Sequence, residues 1–165
     1  MADEHFKTSF APIADADTSI LVLGSLPGDR SLAMAEYYGH PANRLWKVLA
    51  GITGNDVPLN YSEKKALLAK TNIGLWDVAH TATRKGSLDT AILNEVPNQL
   101  DQFIEQHPAL KVVAFNGAKS EAMFNRYFKR REEITYISLP STSPANAKMR
   151  LPDLCAVWEQ ILLYR

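Results

Sequence analysis

Within ten residues, Tyr37-Tyr38-Gly39-His40-Pro41-Ala42-Asn43-Arg44-Leu45-Trp46, the chain gathers two phenols, an imidazole, an amide, a guanidinium and an indole. An aromatic face can stack on a planar base, an amide can orient a water or bond a base edge, and the start of a helix favours negative charge. The same residues allow a structural reading, in which Tyr37 and Trp46 fill a core and Asn43 caps a helix. Upstream, Gly24-Ser25-Leu26-Pro27-Gly28 brackets a proline with two glycines, so its backbone can approach a ligand closely. It matches neither GxxxxGK[ST] nor GxGxxG, which argues against a nucleoside triphosphatase. Two further polar turns are Asn116-Gly117-Ala118-Lys119 and Pro140-Ser141-Thr142-Ser143-Pro144-Ala145-Asn146-Ala147.

These segments need elements to position them. Four short apolar runs read as strands: 19–24, 71–76, 111–116 and 134–139. Their central residues are apolar on both sides of the pleat, as in a parallel sheet covered on both faces. Helices are predicted over 43–50, stopped at Gly51, and over 62–70, with Ser62 as N-cap. A longer one is predicted over 88–106, interrupted at Pro97, and two more over 117–128 and 151–164. In the last, Leu154, Val157, Trp158, Ile161 and Leu162 recur at helical spacing as a core-facing stripe. The expected architecture is a three-layer α/β/α sandwich with a central, mostly parallel four-stranded sheet, forming one domain over 1–165. The chemically unusual turns then follow strand carboxyl ends, where ligand crevices of such sheets form.

Composition narrows the function classes. The 165 residues, 46% of them hydrophobic, suffice for one core. No run approaches the roughly 18 apolar residues of a membrane span, and the N-terminus lacks the order of a signal peptide, so a cytoplasmic, monomeric protein with no membrane partner is expected. Cys155 is the single cysteine, which excludes an intrachain disulfide or cysteine-ligated cluster; it reads as a core thiol. No His/Cys/Asp cluster has ligand spacing, so neither metal nor organic cofactor is implied. Eighteen basic residues balance eighteen acidic ones, leaving nucleic-acid binding to local patches. The candidates are Arg44 with Lys47, Arg84 with Lys85, Lys129-Arg130-Arg131, and Lys148 with Arg150.

Gly24-Ser25-Leu26-Pro27-Gly28 followed by His40-Pro41-Ala42-Asn43-Arg44-Leu45-Trp46-Lys47-Val48 resembles the first motif of the mismatch-specific uracil and thymine DNA glycosylases, where GINPG precedes HPANRFWKV. The Ser141–Asn146 loop is similar to the HPSPLS-like second motif, which enters DNA. The similarity spans about Ser19 to Trp158. Leu26 replaces the catalytic asparagine of GINPG, so uracil-directed chemistry of that kind does not carry over. The forms GSLPGDRSL, YYGHPxNxxW, Leu75-Trp76-Asp77-Val78, Gly86-Ser87-Leu88-Asp89 and LPSTSPANA resemble the hypoxanthine-DNA glycosylase branch of the uracil-DNA glycosylase superfamily.

That resemblance implies Asn43 as the catalytic amide, on water or on the leaving base, and Tyr38 as the aromatic stacked on a flipped base. Gly24, Ser25, Leu26 and Pro27 would line the base site. Asn116 would read the base edge or satisfy loop amides. Ser141, Thr142, Ser143, Pro144, Ala145, Asn146 and Lys148 would meet DNA. His40 is an accessory proton donor or a packed turn histidine, and Asp77 an accessory that orients a partner or binds water. The implied partner is DNA carrying a deaminated base, acted on by a monofunctional enzyme, since the central loop positions hold no lysine nucleophile. Uracil, xanthine or mixed specificity, a non-catalytic nucleic-acid binding domain, and a nucleotide hydrolase are the competing readings.

Overall fold

Strands that are apolar on both sides of the pleat need cover on both faces, and the fold supplies it. The computed structural model describes residues 5–165. In chain order the elements are β1 (Phe6–Thr8), β2 (Ile20–Gly24), α1 (Asp29–Met34), α2 (Leu45–Thr53), α3 (Tyr61–Thr71), β3 (Ile73–Asp77), β4 (Ala79–Thr83), a 3-10 turn (Asp89–Ala91), β5 (Leu93–Pro97), α4 (Leu100–Gln106), β6 (Val112–Asn116), α5 (Ala118–Tyr127), β7 (Thr135–Leu139), α6 (Leu151–Trp158) and a closing 3-10 turn (Glu159–Leu163). The main sheet is parallel throughout, in the order β3-β2-β6-β7.

Every residue of β2 and β6 is buried. Ile20, Val22, Val112 and Ala114 face α2, α3 and α6, where Leu45, Leu49, Leu68, Leu154 and Trp158 complete one core. Leu21, Leu23, Val113 and Phe115 face the other way, onto Leu100, Phe103, Met123 and Phe124 of α4 and α5. This alternation makes three layers from a nearly continuous apolar run. Chain order reverses between β2, which leads outward to β3, and β6, which leads outward to β7. A crevice opens at such a switch point, beyond the strand carboxyl ends.

Several boundaries differ from the sequence expectation, among them the last helix, expected over 151–164, which is α-helical only over Leu151–Trp158 and closes as a 3-10 turn. Residues 88–97 form a 3-10 turn and β5, and only 100–106 is helical. β5 is the outer strand of an antiparallel sheet in the order β1-β4-β5, whose partners are distant in sequence. At its edge Pro97 is tolerated, so the apolar residues of 88–96 read as a helix only to local periodicity. Gly51 lies within α2, and the helix ends at Gly54, whose φ of +70° closes it. The cap of α3 is Asn60, accepting from the Glu63 amide at 2.9 Å while the Glu63 carboxylate accepts from Leu59 N–H at 2.6 Å. Cys155 is only half-buried, against Gly51. Among the described residues no helix is long and apolar enough to cross a membrane.

Candidate active site

The carboxyl ends of β2, β3 and β6 open into a cavity of about 750 Å³. It is lined by the 24–31 turn, Tyr37, Tyr38, His40, Asn43, Asp77, Arg84, the 87–90 segment, Asn116 and the 141–146 loop. Gly24, Ser25, Leu26, Pro27, Tyr38, Asn43, Asn116 and Ser141–Asn146 therefore come together, as the motif spacing implies. Lys148 is exposed outside this lining.

One wall is a closed relay of hydrogen bonds. Asn116, at the end of β6, accepts from the Thr142 backbone N–H at 3.0 Å and donates from Nδ2 to Thr142 Oγ1 at 3.0 Å. Thr142 Oγ1 donates onward to Asn43 Oδ1 at 2.9 Å, which also accepts from Leu45 N–H at the start of α2 at 3.0 Å. A backbone N–H can only donate, so these contacts fix which amide atom is oxygen in both asparagines. The Asn43 oxygen is therefore engaged twice, and its NH2 group is the part left for the cavity. Arg44, not Asn43, is the N-cap of α2; Asn43 bonds the first helical amide from one residue before it and lines the cavity with the same side chain.

The 141–149 loop is fastened by Arg44. Its guanidinium donates to the carbonyls of Ser143 (3.0 Å), Asn146 (3.0 Å), Thr142 (3.4 Å) and Met149, and its backbone N–H donates to Thr142 O at 3.1 Å. Arg44 is thus an internal staple, not half of a basic patch with Lys47; five rigid donors suit a curved run of carbonyls. Trp158 Nε1 donates to Pro140 O at 3.0 Å, tying the loop's start to α6. Gly117, with φ of +94°, lets the β6 turn lie under Ser141, where a Cβ would stand 3.3 Å from the serine's own. Thr142 is fully buried, so it cannot meet DNA as expected; its hydroxyl serves Asn43. Ser141 Oγ and Ser143 Oγ accept from Ser143 N–H and Ala145 N–H, which leaves the hydroxyl hydrogens to donate. Pro144 and Ala145 are exposed at the tip. His40 is exposed, and its Nδ1 accepts from Ala42 N–H at 3.0 Å.

The opposite wall is built differently. Asp77 ends β3 in register with Gly24. It is 4% exposed, and among the described residues its Oδ2 finds no hydrogen-bond partner. Gly24 is required here, because a Cβ would lie 2.5 Å from Asp77 Oδ1 and 2.9 Å from the Tyr38 hydroxyl. Tyr38 itself holds φ of +50°, with Trp46 Nε1 donating to its carbonyl at 3.3 Å. The Asn116 amide lies close enough to favour the ionised phenol slightly, yet no bond of ordinary geometry reaches that hydroxyl. Buried Asn98 donates to the carbonyls of Asp77 (2.8 Å) and Ala79 (3.2 Å), fixing the bend into β4.

Arg84, expected on a surface patch with Lys85, is 1% exposed. It donates to Pro27 O at 2.6 Å and Leu26 O at 3.4 Å, while Asp89 stands 3.9 Å from Nη1 and accepts from Ser25 Oγ at 2.6 Å. Among the described residues, the buried side-chain atoms without a protein partner are Tyr38 Oη, Asp77 Oδ2 and Arg84 Nε. All three residues line this cavity. Burial raises the Asp77 carboxyl to about 7, against the pull of Arg84 and with a smaller push from Asp89. Burial also raises both tyrosine phenols and lowers Arg84. Sequence reasoning missed the carbonyl-bound roles of half-buried Arg44 and buried Arg84, because nothing local to an arginine shows whether carbonyls or solvent will surround it.

A sequence model described as the uracil DNA glycosylase superfamily matches residues 11–162. A hypoxanthine DNA glycosylase of Methanosarcina barkeri is 45% identical over 115 residues, covering 69% of this chain and 73% of that protein. A hypoxanthine DNA glycosylase of Methanosarcina acetivorans is 35% identical over 145 residues, covering 86% and 89%. The solution NMR structure of a candidate uracil DNA glycosylase from Methanosarcina acetivorans superposes with a TM-score of 0.78 at 32% identity, covering 95% of this chain and 99% of that one.

Proposed function

The chain belongs to the uracil DNA glycosylase superfamily and is a DNA glycosylase, and on that premise we propose that it releases hypoxanthine from deoxyinosine in DNA, as a single-domain, cytoplasmic, monofunctional enzyme. The single observation that carries the reading is the orientation of Asn43: Thr142 and Leu45 occupy its oxygen, so the cavity receives an amide donor. The two Methanosarcina relatives are hypoxanthine DNA glycosylases, and the Leu26 side chain offers no polar atom where the mismatch-specific motif has asparagine.

A duplex base must leave the stack to reach such a cavity, at a few kcal/mol, and least for a mispaired base such as hypoxanthine. Breaking the C1′–N9 bond develops positive charge on the sugar and negative charge on the base. Asn43 Nδ2 donates to the base as that negative charge grows, which lowers the barrier. Tyr38 supplies an aromatic wall for the extruded ring. The Ser141 and Ser143 hydroxyls donate to phosphate, and Pro144-Ala145 enters the space vacated in the stack. Among the described residues no lysine lines the cavity, so water, not a Schiff base, takes the sugar and an abasic site remains.

The test is a panel of duplexes carrying deoxyinosine, deoxyuridine or deoxyxanthosine, each treated with alkali after incubation. Hypoxanthine release is expected to be fastest. Asn43→Ala is expected to slow it by ~10²–10³-fold, the range for removal of one oriented donor, with a stability loss of only about 1 kcal/mol from the lost bonds to Leu45 N–H and Thr142 Oγ1. Full activity in Asn43→Ala, or no release from any duplex, overturns the reading.

A further inference from the structure

A buried carboxyl is normally paired or well hydrogen-bonded, since an ionised group without partners costs several kcal/mol. Asp77 breaks that rule although partners stand near. Arg84 is directed away by Pro27 O, Leu26 O and Asp89. Asn98 bonds only the Asp77 backbone. Among the described residues, neither Asp77 Oδ2 nor the Tyr38 hydroxyl, which crowds the same space above Gly24, has a hydrogen-bond partner. The group sits on the cavity wall at the carboxyl end of β3, held in register against β2. An acid so held gains its partner when a base fills the cavity.

We propose that Asp77 is the general acid that protonates the departing purine at a ring nitrogen as its bond to the sugar breaks. This rests on the glycosylase reading above. The C1′–N9 electron pair goes to the base, and the base takes the Asp77 proton. Water oxygen bonds C1′, and the proton that water sheds returns to the Asp77 carboxylate. No other co-reactant is needed. Arg84 and Asp89 beyond β4 and Tyr37 and Tyr38 on the loop before α2 interact with Asp77, and Asp29 and Arg30 at the start of α1 and His40 are the other charged and titratable groups of the same lining. Burial brings the titration of Asp77 to about 7, so the acid is both present and ready to release near neutrality.

Single-turnover excision on the best-cleaved duplex of the panel is measured from pH 5.5 to 8.5 for the wild type, Asp77→Asn and Asp77→Glu. Each variant is checked for its Tm and for binding to an uncleavable 2′-fluoro deoxyinosine duplex. The wild-type rate is expected to fall above about pH 7, approaching tenfold per unit. Asp77→Asn is expected to lose ~10²-fold or more at pH 6, to lose the pH dependence, and to narrow its gap to the wild type steadily toward the alkaline end. Asp77→Glu is expected to keep a sloping profile. If Asp77→Asn binds the uncleavable duplex and is slowed by one constant factor at every pH, or not at all, the acid role is wrong while the glycosylase reading stands. If the wild type releases no base at any pH, both fall.

Discussion

The two walls of one cavity are built on opposite terms. On the Asn116–Thr142–Asn43 side each oxygen and hydroxyl of the relay has a protein partner, and Arg44 occupies the carbonyls of the loop behind it. On the Tyr38–Asp77–Arg84 side three polar atoms have none. The first wall is preorganised: its donor is aimed before any ligand arrives, so no reorientation is needed during the reaction. The second is an energetic debt that a bound base would relieve, since an unmet buried polar group costs about 1–3 kcal/mol and a charged one more. Low local stability of this kind is tolerated where function uses it.

The sharpest way to break the contrast is through stability and pH. Asp77 has a folded pKa raised above that of the unfolded chain, so the native state holds its proton longer. Stability from this group is intact below the unfolded value near 4 and is lost as pH rises toward about 7. The wild type should therefore lose on the order of 4 kcal/mol relative to Asp77→Asn between those limits. Urea denaturation of both proteins at pH 5 and pH 8 should show about 3 kcal/mol of it, since part is already lost by pH 5; a constant difference would mean that Asp77 is already partnered.

The preorganised wall should respond in the other direction. Arg44→Lys keeps the charge but cannot satisfy several carbonyls at once, and should cost about 2 kcal/mol, with faster amide hydrogen exchange confined to 142–149. Rescue by lysine would return Arg44 to the phosphate-binding role that its sequence position suggests. The smallest effect is expected from Thr142→Val, which removes the hydroxyl between two asparagines. It should cost about 1 kcal/mol in stability and slow excision by roughly tenfold as Asn43 loses one anchor, a factor equivalent to 1.4 kcal/mol. Thr142→Ser should restore both; unchanged excision in the valine variant would show that Leu45 alone orients Asn43.

The sequence by itself determined the four parallel strands, because residues such as Ile20-Leu21-Val22-Leu23 leave no solvent-tolerant face, and it brought Asn43, Gly24–Pro27, Asn116 and the 141–146 loop to one end of the sheet through motif order. It did not determine β5, since Leu93–Pro97 becomes a strand only by pairing with β4, a partner outside any local window. Nor could it tell a stapling arginine from a phosphate-binding one, or a partnered aspartate from a lone one. Those distinctions depend on which carbonyls and amides the tertiary fold brings within 3 Å. The roles of Arg44, Arg84, Thr142 and Asp77 were therefore decided by packing, because hydrogen bonds and desolvation are set by neighbours in space and not by neighbours in the chain.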